Sequence, residues 1–250
     1  MENQYIKKIN DLDIKKFWEI NTNNILVNKE KYEKNITPNV SIIILMYNQA
    51  NCIHKCLRSV QNQSLKNIEI ILIDDCSLDN STEIIEEYQR EDKRIILIKH
   101  DTNEGKIKSR SDGIRKATGN YITFIDGDDA LIHKDILIDC LNIANIANLD
   151  VIEFQISLFG KQKFINNKNS YGRINEKILY QPELKTRFLL TKEKDNVRGI
   201  INRNICGKFI KRSLLLNVLE NIGNQFTNDY INQYEDTLMV FFLFKLAKSY

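Results

Sequence analysis

Three carboxylates crowd into four residues at Asp126-Gly127-Asp128-Asp129. Two unit charges 4 Å apart repel by about 1 kcal/mol in bulk water and by about 4 kcal/mol at an effective dielectric of 20. An acidic turn in solvent can tolerate that repulsion. A divalent cation removes it and adds an attraction for phosphate oxygens, and a strand-end position with Gly127, which lets backbone come close, favours the cation. A second acidic pair, Asp74-Asp75, also closes an apolar run. One of its carboxylates can accept a hydrogen bond from a ribose or a base ring. Helix capping, the plainer role, is already open to Asp79, Asn80 or Ser81. Tyr47 either stacks on a base or packs in the core. Asn103, Gly105 and Arg110 fall on a loop and helix start, where backbone N–H groups and a guanidinium can meet an anion. Glu235-Asp236 opens an apolar helical pattern, where the helix N-terminus stabilises a first-turn acid. That need is met by one of the two.

These residues must be positioned by the elements around them. Val40–Leu45, Ile68–Ile73, Arg94–Ile98 and Tyr121–Ile125 are nearly unbroken apolar, β-branched runs. Such runs suit parallel strands buried on both faces. Helical spacing fills the gaps: Ile53, Cys56, Leu57 and Val60 share one face, Ile84, Ile85 and Tyr88 another, and Ile107, Ile114 and Ala117 a third. Gly119 is expected to supply a left-handed stop before the fourth strand. Alternating strand and helix predicts an α/β, doubly wound, mostly parallel sheet, with ligands beyond the carboxyl ends of its strands. Three of those ends carry Tyr47-Asn48, Asp74-Asp75 and Asp126-Gly127-Asp128-Asp129. Residues 1–37, with Phe17, Trp18 and Ile20, read as a helical appendage; 38–149 is the nucleotide-binding half and 150–250 a looser half. In the latter, Val151–Phe159 is expected as a strand, with helices around Pro182–Leu190, Ser213–Leu219 and Tyr234–Ala247.

The pieces also form a series: Ser41-Ile-Ile-Ile-Leu-Met-Tyr47-Asn48; Ile70-Ile-Leu-Ile-Asp74-Asp75-Cys-Ser77-Leu-Asp79; Asn103-Glu-Gly105 leading to Ser109-Arg110; and Gly119-Asn-Tyr121-Ile-Thr-Phe-Ile-Asp126-Gly-Asp128-Asp129. In this order and spacing the series resembles family 2 glycosyltransferases, inverting enzymes of the GT-A fold. Lys208-Phe-Ile-Lys-Arg212 followed by Glu235-Asp236 is similar to a further region of bacterial-type members. The resemblance implies a UDP-sugar donor and a glycan, protein or small-molecule acceptor. It implies that Leu45, Tyr47, Asn48, Asp75, Asn103, Arg110, Asp126 and Gly127 line the nucleotide-sugar site. Within that site Tyr47 would flank the uracil, Asp75 would accept its ring N–H with Asn103 and Arg110 nearby, and Asp126 would hold the ribose. Asp128 would ligate Mn2+ or Mg2+ on the diphosphate, Asp236 would be the catalytic base, and Glu235 would stand beside it. An inverting transfer needs one base and a neutralised leaving group, which agrees with these residues. Leu45 and Met46 depart from the family's usual Pro and small residue, and Ser109 and Ser111 from Ala and Asn. No histidine follows His133, where many GT-A enzymes place a further metal ligand. Either this chain does without that ligand or it stops before it, and a Tyr250 that falls within a helical pattern is compatible with truncation.

Composition narrows the alternatives. With 36 basic and 33 acidic residues and a net charge of +3, the chain lacks the basic excess of a nucleic-acid binder. The 250 residues, 42% hydrophobic, suffice for a sizeable core. Five scattered cysteines, an odd number, read as reduced thiols of a cytoplasmic protein. Cys52, His54 and Cys56 lack a fourth zinc ligand. Met1–Asn10 is polar rather than a signal peptide, and the longest apolar run, Leu238–Phe244, is too short to span a bilayer. A sugar nucleotidyltransferase would need a Gly-rich basic loop after the first strand, and Tyr47-Asn48-Gln49-Ala50 is not one. A catalytically silent nucleotide- or carbohydrate-binding module of the same fold is the other alternative.

Overall fold

Val40–Met46 forms strand β1, buried at all seven positions. Its Ile42 and Ile44 enter one core and Ile43 and Leu45 the other, because successive strand side chains point to opposite faces. Both faces are covered, so polar residues cannot alternate with apolar ones. Strands β2 (Ile68–Asp74) and β4 (Tyr121–Asp126) flank β1 and are buried nearly as fully. Strand β3 (Ile95–Lys99), next to β2, is only partly covered. The computed structural model describes residues 37–154, 204–228 and 235–250; the expected N-terminal appendage, apart from its last residue, and the helix around Pro182–Leu190 lie outside them.

The sheet has the order β3-β2-β1-β4-β6-β5, with β5 (Val151–Glu153) and β6 (Lys208–Lys211) from the second half of the chain. The first four strands are parallel, and β6 runs antiparallel to β4 and β5. Between the strands run α1 (Ile53–Gln61), α2 (Ser81–Glu91), α3 (Lys106–Lys116) and α4 (Ile136–Ala147). Helix α5 (Arg212–Asn228), broken at Gly223, and α6 (Glu235–Leu246) follow β6. The mostly parallel α/β architecture expected from the sequence is therefore present. Of the strand expected at Val151–Phe159, Val151–Glu153 is strand and Phe154 is not; residues 155–159 lie outside. No helix among the described residues is long and apolar enough to cross a membrane.

Register places the acidic residues together. Met46 pairs with Asp74 on one side of β1, and Leu45 pairs with Asp126 on the other. The chain winds from β1 to β2 and β3 in one direction, then returns to place β4 on the far side of β1. That reversal opens a crevice at the carboxyl ends of β1 and β4.

Gly119 corrects one expectation. It is absent from the residues with positive φ, so it is not a left-handed stop. A Cβ there would stand 2.7 Å from the Ser41 backbone nitrogen and 2.7 Å from its hydroxyl. The Glu69 carboxylate draws the same turn against β1, accepting from the Ser41 hydroxyl at 2.6 Å and from the N–H groups of Thr118 at 2.6 Å and Gly119 at 3.1 Å. Close approach, not backbone conformation, requires glycine here. Gly119→Ala should lower stability by about 1–3 kcal/mol, the usual cost of overpacking. A urea titration tests this, with a lower midpoint at unchanged slope expected. An unshifted midpoint would remove the packing explanation.

Candidate active site

The loops after β1 and β2 are stitched into one rim. Asn48 adopts φ +52° and Cys76 φ +66°, conformations uncommon for residues other than glycine. The Asn48 side-chain oxygen accepts the Leu78 N–H at 2.7 Å, and the Asn48 backbone N–H donates to Ser77 Oγ at 3.0 Å. The Gln49 N–H reaches Ser81 Oγ at 2.8 Å, and that of Ala50 reaches Asp79 Oδ2 at 3.1 Å. Tyr47 is left 44% exposed on this rim, which removes its core alternative. Leu45, behind it, is buried in the strand, and its carbonyl accepts the Gly127 N–H at 3.1 Å.

Asp74 and Asp75, equivalent in the sequence, have different tasks. Asp74 accepts the Ser77 N–H at 2.9 Å and the Thr82 hydroxyl, tying the turn to α2. Asp75 faces the loop after β3, where Asn103 is exposed. Its Oδ1 accepts the Glu104 N–H at 2.8 Å and stands 2.8 Å from His100 Nδ1, while Oδ2 accepts the Gly105 N–H at 2.9 Å. Gly105, at φ +84°, turns the chain into α3. A carboxylate offers about four lone-pair sites. The three described contacts leave room for one further donor, at Oδ2.

Across the crevice, ligand oxygens of Asp126, Asp128 and Asp129 lie within 4.8 Å of one another. This is the one such convergence of three or more His, Cys, Asp or Glu among the described residues. Asp128 is exposed and the other two are half-buried. Burial, followed by the charges of Asp126 and Asp128, pushes the Asp129 carboxyl above its ordinary range. An all-oxygen donor set under mutual repulsion fits a hard divalent cation. At Gly127 a Cβ would fall 1.9 Å from Gln49 Oε1 and 3.2 Å from Ile53 Cδ1, so a larger residue there would displace the Gln49 side chain. Cys52, His54 and Cys56 do not converge as ligands: exposed His54 pairs with the Tyr88 hydroxyl at 3.1 Å, and Cys56 is fully buried. A cavity of about 110 Å³ opens beside Asp129, lined by apolar residues including Phe124, Leu131, Ile136 and Phe154.

Arg110 links this cluster to the C-terminal acids. The resemblance implies a place near Asp75 on the base side; the described contacts of Arg110 are with Asp236, Glu235 and Asp126. The guanidinium is buried, with Nη1 2.7 Å from Asp236 Oδ1 and 3.5 Å from Glu235 Oε1, and Nη2 3.9 Å from Asp126 Oδ1. The contact to Asp236 is an ion pair by distance, without the alignment of a hydrogen bond. Burial alone would favour the neutral guanidine, but the carboxylates outweigh it and hold the charge on. Burial raises the Asp236 carboxyl, with Arg110 pulling it down and Glu235 and Asp126 adding to the rise. Cys206, missed in the sequence, keeps its proton through burial, and its thiol stands 3.6 Å from Asp126 Oδ1. His100 was also missed, although it follows directly on the end of β3.

A model of Glycosyl transferase family 2 matches residues 41–210. The chain belongs to this family. Two relatives from Bacillus subtilis (strain 168) are the putative glycosyltransferase EpsH, 45% identical over 93 residues, and the uncharacterized glycosyltransferase EpsJ, 48% identical over 92. Each alignment covers 37% of this chain, but only 27% of EpsH and 26% of EpsJ. The crystal structure of S. aureus TarS 1-349 in complex with UDP superposes with a TM-score of 0.62 at 22% identity, covering 84% of this chain and 56% of that one. The family 2 chain thus shares the GT-A architecture of TarS.

Proposed function

We propose that this family 2 chain transfers a sugar from a UDP-sugar to an acceptor hydroxyl with inversion, assisted by Mn2+ or Mg2+. One observation carries the reading: a single buried guanidinium, Arg110, stands between Asp126 of the triple-carboxylate turn and the Glu235-Asp236 pair. Donor-side and acceptor-side acids therefore meet at one crevice. Asp128, with Asp126 and Asp129 beside it, would hold the cation, which when bound supplies positive charge for the departing diphosphate.

The remaining roles belong to the chain. Asp75 offers its open Oδ2 position to the N3–H of uracil, and Tyr47 lies on the rim where a base would stack, with Asn48 and Asn103 nearby. Asp126 and the backbone at Gly127 receive the ribose side. Asp236 accepts the proton of the acceptor hydroxyl as its oxygen bonds to the anomeric carbon, while the bond from that carbon to the diphosphate breaks and UDP departs. Burial makes Asp236 a stronger base than an ordinary carboxylate. Arg110 keeps this carboxylate in place, which replaces a base-side role for the arginine. The complexes of TarS with UDP and with UDP-GlcNAc support a uridine donor. No part of this reading requires nucleic acid as a partner.

Competition binding tests the donor. Uracil presents a donor at N3 where cytosine presents an acceptor, so an acceptor-only carboxylate discriminates between them. UDP should outcompete CDP, GDP and ADP by at least about tenfold, equivalent to about 1.4 kcal/mol. Equal binding of CDP would remove Asp75 from the site.

A further inference from the structure

We infer that His100 is a positioning residue for nucleotide recognition, holding Asp75 in the orientation that presents its open acceptor position. The inference rests on the role given to Asp75 above. His100 follows β3 directly, and its N–H donates to the Asp74 carbonyl at 2.9 Å, so its main chain is fixed beside the acidic pair. The ring is 6% exposed and lies between two carboxylates. Nδ1 is 2.8 Å from Asp75 Oδ1, and Nε2 is 3.1 Å from Asp112 Oδ2 on α3. Asp112 also receives the Lys108 ammonium, which holds it on the helix surface. Each ring nitrogen faces one carboxylate, and which of them donates follows the tautomer.

The torsion that turns an Asp carboxylate is broad and weakly restrained by itself. Its orientation must come from partners. Asp75 has two from backbone, the N–H groups of Glu104 and Gly105, and one from a side chain, His100. The backbone pair belongs to the start of α3, and His100 grips the same helix through Asp112. The imidazole therefore sets the carboxylate relative to the helix that carries its other donors. A histidine serving stability alone would alter the urea midpoint and leave the preference among bases untouched. A positioning histidine alters that preference, because the misdirected group is the one that reads the base.

The test uses the full chain with Mn2+, measuring affinities for UDP and CDP and the urea midpoint. His100→Phe retains a ring and removes both bonds; His100→Gln retains one amide donor group; Asp112→Asn loosens the far side. The expected result is about a tenfold loss of UDP affinity in folded His100→Phe with CDP affinity unchanged, and intermediate losses in the other two. Donor KM should rise with kcat preserved, the mark of lost uniform binding. Should His100→Phe fail to fold, the Gln and Asn variants carry the same comparison. A parental ratio of UDP to CDP affinity in the folded variants overturns the inference. Absence of any UDP preference in the parent protein overturns the donor reading instead, so the two failures are distinguishable.

Discussion

Asp236→Asn should bind UDP and cation as the parent does, while transferring sugar about 10²–10⁴ times more slowly, the usual worth of a positioned general base. The plainer role of Asp236 is to stabilise the first turn of α6, where a carboxylate is typically worth about 0.3–1 kcal/mol. That role is shared with Glu235 and has no consequence for rate. The two acids differ in surroundings. Glu235 is 9% exposed at its side chain and lies 3.5 Å from Arg110, whereas Asp236 is 26% exposed and lies 2.7 Å from it. Asp236 can thus meet an acceptor while held by the arginine. Glu235→Gln should cost less turnover than Asp236→Asn. Loss of the Asp236 charge leaves a buried guanidinium with fewer counter-charges, so some stability is also lost; melting curves separate this from the loss of rate. Burial raises the Asp236 carboxyl despite Arg110, and the base acts deprotonated. Parental activity should therefore fall on the acid side through a pKa above the ordinary carboxylate range. Near-parental turnover in Asp236→Asn would reduce the residue to its helix-start role.

Asp128→Asn should weaken UDP binding in Mn2+ by at least about tenfold, equivalent to about 1.4 kcal/mol. Asp128 is exposed, and surface substitutions away from packed features usually change stability by about 0.5 kcal/mol or less. The loss of affinity should therefore appear without a shift in melting temperature. A diphosphate approaching Asp126, Asp128 and Asp129 without a cation meets several repulsions of about 1 kcal/mol each in water at 4 Å. The Asn variant lessens that repulsion, so tighter binding would follow if anions alone decided the outcome. A cation bound through Asp128 gives the opposite sign. Parental UDP affinity in Asp128→Asn would place the cation, or the diphosphate, elsewhere.

The sheet was legible because its central strands are buried on both faces, and Ile42, Ile43, Ile44 and Leu45 leave no alternation to misread. The acidic turn was legible because its members are adjacent in the chain. Gly119 was recognised as special for the wrong reason: proximity to Ser41, 78 residues earlier, cannot be read from local pattern. Asp74 and Asp75 were separable only by their hydrogen bonds to Ser77 and Thr82 on one side and to Glu104 and Gly105 on the other. Arg110 shows the same limit more strongly. Its partner Glu235 is 125 residues away, and nothing in the α3 periodicity indicates that the guanidinium turns toward α6. His100 gave a weak signal, a polar residue immediately beyond a strand's carboxyl end, where ligand sites of such sheets gather.

The most direct test of cation-dependent UDP recognition at this crevice is calorimetric titration of UDP into the parent protein, first in Mn2+ and then in chelator. The expected result is saturable binding with the cation and a loss of at least about tenfold in its absence. Equal affinity in the two titrations would contradict it.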